Sequence, residues 1–166
     1  MVEHTPTDEG IIFFDSRDHA AQVALELIKQ ARQEICFFGP LIDPVLFDNE
    51  PAIEQLSEFS RRSPRSKIRF VVCDTRKNIA QSHRFIPLAQ RLTSKIDIHI
   101  ASKKHQKLRS MFMLVDNSAY LFCPNAERYY GRAELAAPAE VRDRQQQFDE
   151  IWSHSKQDIN TRRLNL

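Results

Sequence analysis

The chain has 166 residues, 42% hydrophobic and 28% charged, which suits one globular domain with its own core. A net charge of +2 does not announce a polyanion binder, and no apolar run approaches the roughly 20 residues a membrane-spanning helix needs. With only three glycines, Gly10, Gly39 and Gly131, the glycine-rich loops that cradle phosphates and pyrophosphates are excluded, so no nucleotide-type cofactor is expected.

Residues 1–10 are acidic and polar, unlike a secretory signal, and read as a flexible N-terminus. Ile11–Phe14 is a short apolar run suited to a first strand. Asp15 or Ser16 can cap a helix that places Ala20, Val23, Ala24, Leu27, Ile28 and Ala31 at helical spacing. Ile35–Phe38, stopped by Gly39-Pro40, reads as a central strand apolar on both faces. Asn49 and Pro51 open a second helix with Ile53, Leu56 and Phe59 inside, ended by the basic loop Arg61-Arg62-Ser63-Pro64-Arg65. Ile68–Cys73 is another buried strand, closing on Asp74. Pro87 fits only the first turn of a third helix, which places its start near Ser82 or His83 and its end near Leu92. Ile96, Ile98 and Ile100 alternate with Asp97 and His99, as in a strand with one wet face. Met111–Val115 and Ala119–Cys123 flank Asp116-Asn117-Ser118 as a tight hairpin. A last strand is expected near Arg132–Ala136, and Pro138 starts a final helix with Val141, Phe148, Ile151 and Trp152 as its apolar stripe. Residues 11–157 therefore form a single domain and 158–166 a C-terminal tail. Helices alternating with buried strands imply right-handed crossovers onto an α/β, largely parallel sheet with helices on both faces, made mixed by the late hairpin.

Residues 109–116, Arg-Ser-Met-Phe-Met-Leu-Val-Asp, resemble the phospholipase D signature His-x-Lys-x4-Asp with its chemistry removed. Phe112 to Asp116 fit the apolar strand and its terminal carboxylate. Arg109 stands at the His position and Met111 at the Lys position, so neither a phosphohistidine nor a neutralised phosphate is available in the usual way. The Gly-Ser-x-Asn segment of that superfamily is replaced by Cys123-Pro124-Asn125-Ala126. His105 and Lys107 also spell His-x-Lys, but the matching Asp position is Phe112. The resemblance implies a single, degenerate phospholipase D-like repeat. It looks nearest to an uncharacterised bacterial family of such domains, some fused to or labelled as acetyltransferases, with stretches like His83-Arg84-Phe85, Arg128-Tyr129 and Phe148-Asp149-Glu150-Ile151-Trp152. It also implies a homodimer through the motif-bearing face, where Met111 and Met113 would suit an adaptable contact.

Asp43 and Asp74, at carboxyl ends of strand segments, and His83 form the best acid/base or anion cluster the sequence offers. The plainer alternative is helix capping and loop hydrogen bonding. Arg76, Lys77, Arg84, Arg109 and Arg128 could ring that rim and hold a phosphate by paired guanidinium contacts. Asp116 is either the surviving motif carboxylate or a turn residue. Tyr129 and Tyr130 are either an aromatic platform or one core and one edge residue. Cys36, Cys73 and Cys123 share no metal-type spacing, no metal site is expected, and the odd thiol count favours the cytoplasm.

The leading expectation is a non-catalytic domain that senses a phosphate-bearing ligand or binds a protein. The alternative is a hydrolase or transferase working through Asp43, Asp74 and His83. Acetyl transfer is disfavoured by the missing pyrophosphate loop. Nucleic-acid binding would rest on the basic loops Arg61–Lys67 and Lys103–Arg109.

Overall fold

A computed structural model of the chain describes residues 10–162, so the N-terminal segment 1–9 and residues 163–166 lie outside the described residues. Ser16 accepts from the His19 N–H and starts α1 (Arg17–Gln30), directly after β1 (Ile12–Phe14). Then follow β2 (Glu34–Gly39), a short α2 (Pro44–Phe47) capped by Asp43, and α3 (Glu50–Arg62) capped by Asn49 with Pro51 in its first turn. β3 (Lys67–Val72), α4 (Arg76–Ala80), α5 (Phe85–Arg91) and β4 (Ile96–Ile100) complete the alternating half. β5 (Met111–Val115), β6 (Ala119–Cys123) and β7 (Gly131–Glu134) form a meander. The chain closes with α6 (Pro138–Ser153) and β8 (Lys156–Gln157).

All eight strands join one sheet in the order β1-β7-β6-β5-β2-β3-β4-β8. Only β2 with β3 and β3 with β4 pair in parallel; the other pairings are antiparallel. The expectation of a largely parallel sheet is thus corrected to a mixed one. Crossover helices impose parallel pairing on β2 to β4. β5 instead arrives through a loop on the far side of β2 and is followed by short turns, which force antiparallel neighbours.

β2 is buried on both faces, as its apolar run requires. On one face Phe37 packs with Phe47, Phe70 and Phe85, whose rings lie 4.3–5.0 Å apart along the chain of contacts, beneath α1, α3 and α5. On the other face Cys36 and Phe38 pack with Phe148 and Ile151 of α6. This second core admits charge at its margin. Arg69 lies over the rings of Phe148 and Trp152 at about 5 Å while paired with Glu34 at 3.0 Å, and Arg144 stacks on Phe122 at 3.9 Å. Gly131 permits a close approach of β7 to β6: a Cβ there would run into the Phe122 carbonyl oxygen.

The third helix begins later than its capping residues suggested. Ser82 adopts a left-handed backbone, φ 55°, and does not cap, so α5 starts at Phe85 with Pro87 still inside the first turn. Beyond β8, the Asp158 N–H donates to the Ile98 carbonyl at 2.9 Å. The Asp158 carboxylate accepts from Thr75 Oγ1 at 2.8 Å and Thr161 Oγ1 at 2.9 Å. Asp158 and Thr161, in the segment assigned to the tail, are buried against the sheet edge. That contact also explains why the Thr75 hydroxyl makes no capping bond to α4.

A basic cleft at the carboxyl end of the parallel strands

β2 and β3 finish, β5 begins and β6 ends at one edge of the sheet, and a cleft of about 1010 Å³ opens there. Such carboxyl ends are where open α/β sheets bind ligands. One wall is the loop Pro40–Pro44 after β2, with Arg17 from the first turn of α1. The second is Lys77 and Gln81 from the α4 region. The third is Gln106–Arg109 before β5, and the fourth Asn125–Glu127 and Tyr129 after β6.

The walls are fixed to one another by polar contacts. Asn78, buried in α4, clamps the β2 loop: its Oδ1 accepts from the Ile42 N–H at 3.0 Å and its Nδ2 donates to the Ile42 carbonyl at 2.8 Å. The Ala126 N–H donates to the Arg109 carbonyl at 2.8 Å, tying the β6–β7 loop to the residues before β5. Asp43 is buried. It accepts from the Leu46 N–H at 2.9 Å and from the Tyr129 hydroxyl at 2.9 Å. Burial raises its carboxyl above the ordinary range, and the amide and phenol bonds pull in the opposite direction. Burial, with the adjacent Asp43 charge, also raises the Tyr129 phenol, whose ring lies 5.2 Å from the Arg17 guanidinium carbon.

Of the residues the sequence singled out, the cleft collects Asp43, Lys77, Lys107, Arg109, Asn125, Ala126 and Tyr129. His83 lies behind Asp43. Its Nδ1 accepts from the Phe85 N–H at 3.1 Å, which leaves Nε2 protonated to donate to the Asp43 carbonyl at 3.3 Å. The buried ring is therefore held neutral, and burial lowers its pKa. Asp74 turns outward to Arg76, which grips both its oxygens and holds the carboxyl below the usual range. Arg84 pairs with Asp48 at 3.2 Å, and the exposed Arg128 does not line the cleft. Asp43, Asp74 and His83 thus form no common constellation. Arg17, Gln81, Gln106 and Asn78 were not foreseen. A single sequence shows no link between these residues and β5, since only the fold brings them together.

The motif itself is split. Arg109 is exposed in the cleft, and Met111 is wholly buried in the helix-side core with Met113, so neither methionine presents a surface to a second copy. Asp116, at the far end of β5, accepts from the N–H groups of Arg32, Gln33 and Glu34 at 2.7, 2.8 and 2.8 Å. Asp116 and Asn117 both have positive φ, the geometry of a tight hairpin turn.

Arg17, Lys77, Lys107 and Arg109 form no ion pair among the described residues, whereas Arg69, Arg76, Arg84, Lys104, Arg132 and Arg144 do. The cleft thus sets four cations that make no salt bridge against two carboxylates, Asp43, which is buried and feels the Arg17 charge, and Glu127. No histidine lines it. No group of three His, Cys, Asp or Glu that could hold a metal ion occurs among the described residues, and none of their helices is long and apolar enough to cross a membrane.

The fold is phospholipase D-like. Nuc from Salmonella typhimurium, a phospholipase D family member, superposes with a TM-score of 0.64 at 14% identity, over 89% of this chain and 97% of that one. NucT from Helicobacter pylori gives 0.65 at 8% identity, over 89% and 98%. TrmBL2, an archaeal chromatin protein whose structure shows a novel mode of DNA binding, gives 0.66 at 13% identity over 95% of this chain; the match spans 57% of the TrmBL2 chain. The chain belongs to the family described as Domain of unknown function (DUF7931), whose model matches residues 16–164. No curated protein matches it in sequence.

Proposed function

We propose that this is a phospholipase D-like domain that binds a phosphate-bearing ligand in the basic cleft without cleaving it, serving as a ligand-sensing or protein-interaction module. The observation that carries this reading is the cleft's charge: Arg17, Lys77, Lys107 and Arg109 line one space and form no ion pair among the described residues, with only Arg17 acting on the buried Asp43 through its charge. Clustered cations left unpaired repel one another, and an anion between them relieves that cost. Guanidinium groups suit phosphate by their forked donors. Hydrolysis by the phospholipase D route needs a nucleophilic imidazole and a phosphate-binding ammonium at the two signature positions; the Arg109 guanidinium is no such nucleophile and the Met111 thioether carries no charge. His83 has both ring nitrogens engaged with the backbone, which argues against the alternative of an acid/base centre there.

The test is a thermal-shift panel of inorganic phosphate, nucleotides, phospholipid headgroups, short DNAs and acetyl-CoA. A ligand at one hundred times its dissociation constant adds about 2.7 kcal/mol of stability, a shift of several degrees in a domain of this size. The expected result is a shift from one phosphate-bearing class that disappears in Lys107→Ala/Arg109→Ala. No shift from any of them, or turnover of a phosphodiester lost on mutating the cleft, overturns the reading. The same proposal places the domain in the cytoplasm. Homodimerisation stays part of it only if sedimentation at micromolar concentration shows a dimer.

A further inference from the structure

The end of the sheet opposite the cleft holds a second concentration of positive charge. β2, β3 and β4 are adjacent and all begin there: the Lys67 N–H donates to the Gln33 carbonyl at 3.0 Å and the Ile68 N–H to the Lys95 carbonyl at 2.9 Å. The carboxyl end of α3 meets them. Arg62 Nη1 donates to the Ala31 carbonyl at 2.7 Å, and Lys95 Nζ to the Ser63 carbonyl at 2.7 Å. Arg32, Arg61, Arg62, Arg65, Lys67 and Lys95 are thereby gathered on one edge, and all but the half-buried Lys95 are exposed. None forms an ion pair among the described residues. Two carboxylates tied to this end are already engaged, Asp116 by three backbone amides and Glu34 by Arg69.

Helix-dipole compensation explains Arg61 and Arg62, which lie in the last turn of α3. It does not explain Arg32, Arg65 and Lys67, which lie outside any helix. We propose that this edge binds the phosphate backbone of a double-stranded nucleic acid. Neighbouring strands are about 4.8 Å apart, so cations at the starts of β2, β3 and β4 form a closely spaced row suited to a regular polyanion rather than to one phosphate. Gln33, Pro64, Thr93 and Ser94 are the exposed residues interleaved with them in the chain. Three of these offer hydrogen bonds to phosphate oxygens, and none is the bulky apolar anchor of a membrane-surface segment. A net charge of only +2 does not preclude this, because the positive charge is concentrated at this edge and in the cleft.

The test is fluorescence anisotropy with a labelled 20-base-pair DNA duplex of arbitrary sequence, beside vesicles containing phosphatidylserine. Neutralising about four phosphates predicts that affinity falls about 100-fold between 50 and 200 mM salt. Arg32→Glu/Arg61→Glu/Arg65→Glu should weaken duplex binding at least tenfold. It should leave any phosphate-induced shift at the cleft unchanged and lower the melting temperature by a few degrees at most, the cost of a Glu at the carboxyl end of α3, because none of the three side chains makes a hydrogen bond among the described residues. Lys107→Ala/Arg109→Ala should leave duplex affinity within twofold. No duplex binding at 50 mM salt, binding that survives the triple charge reversal, binding lost instead with the cleft variant, or vesicle binding without duplex binding overturns the proposal.

Discussion

The two ends of β5 carry residues from a single sequence motif, and the structure puts them to different uses. Arg109 precedes the strand and faces an open cleft, while Asp116 ends it and organises the turn into β2. Seven residues at about 3.4 Å each separate them by about 24 Å, too far for one ligand-sized site. Contiguity in a strand motif is therefore not contiguity in chemistry. At the cleft end polar groups converge on empty space; at the other end the one motif carboxylate is consumed by backbone amides.

Substitutions at the two ends should separate binding from stability. The largest effect is expected from placing a lysine at position 111, where the phospholipase D signature has one. Met111→Lys places an unpaired ammonium in a core position with no exposure, and should cost about 3–5 kcal/mol by chemical denaturation. A variant as stable as the parent would mean that this site opens to the cleft. Asp116→Ala should cost about 3 kcal/mol, since three amides lose a charged acceptor, while ligand-induced shifts at the cleft persist.

His83 gives a smaller, pH-dependent effect. Its folded pKa is depressed, so its contribution to stability is full above the unfolded value of about 6.5 and is lost as pH falls through the lower folded value. His83→Leu should be about 1–2 kcal/mol less stable at pH 7 and lack that component of the loss as pH falls below about 6.5. Melting curves across that range would show it. An identical pH slope in the variant would mean that the ring is not held neutral. The smallest stability effect belongs to Arg109→Ala, within about 0.5 kcal/mol as for other surface changes, although ligand binding should be lost.

Much of the element order was legible because it rests on local signals. The hairpin Met111–Cys123, the caps Ser16 and Asn49, and the doubly buried β2 follow from periodicity and short-range hydrogen bonding. The sheet's parallel count was misjudged because strand order beyond β4 is set by where β5 docks, on the free side of β2, and no local pattern encodes that choice. The short β8 escaped notice for a related reason: two exposed residues, Lys156 and Gln157, carry no apolar alternation, and pairing with β4 alone makes them a strand.

The candidate site divides along the same line. Residue types alone determined that the chain has no glycine-rich loop and that Arg109 and Met111 stand where the phospholipase D signature has histidine and lysine, because chemistry depends on which functional groups exist at all. Tertiary structure decided which charges share a space. Lys77, Lys107, Arg109 and Arg17 come from three separate segments, and loops at a common end of the sheet bring them together. Arg76 and Arg84, close in sequence to Lys77, are instead neutralised by Asp74 and Asp48. Charge pairing acts over a few ångströms, and which groups lie within that range is a property of the folded chain.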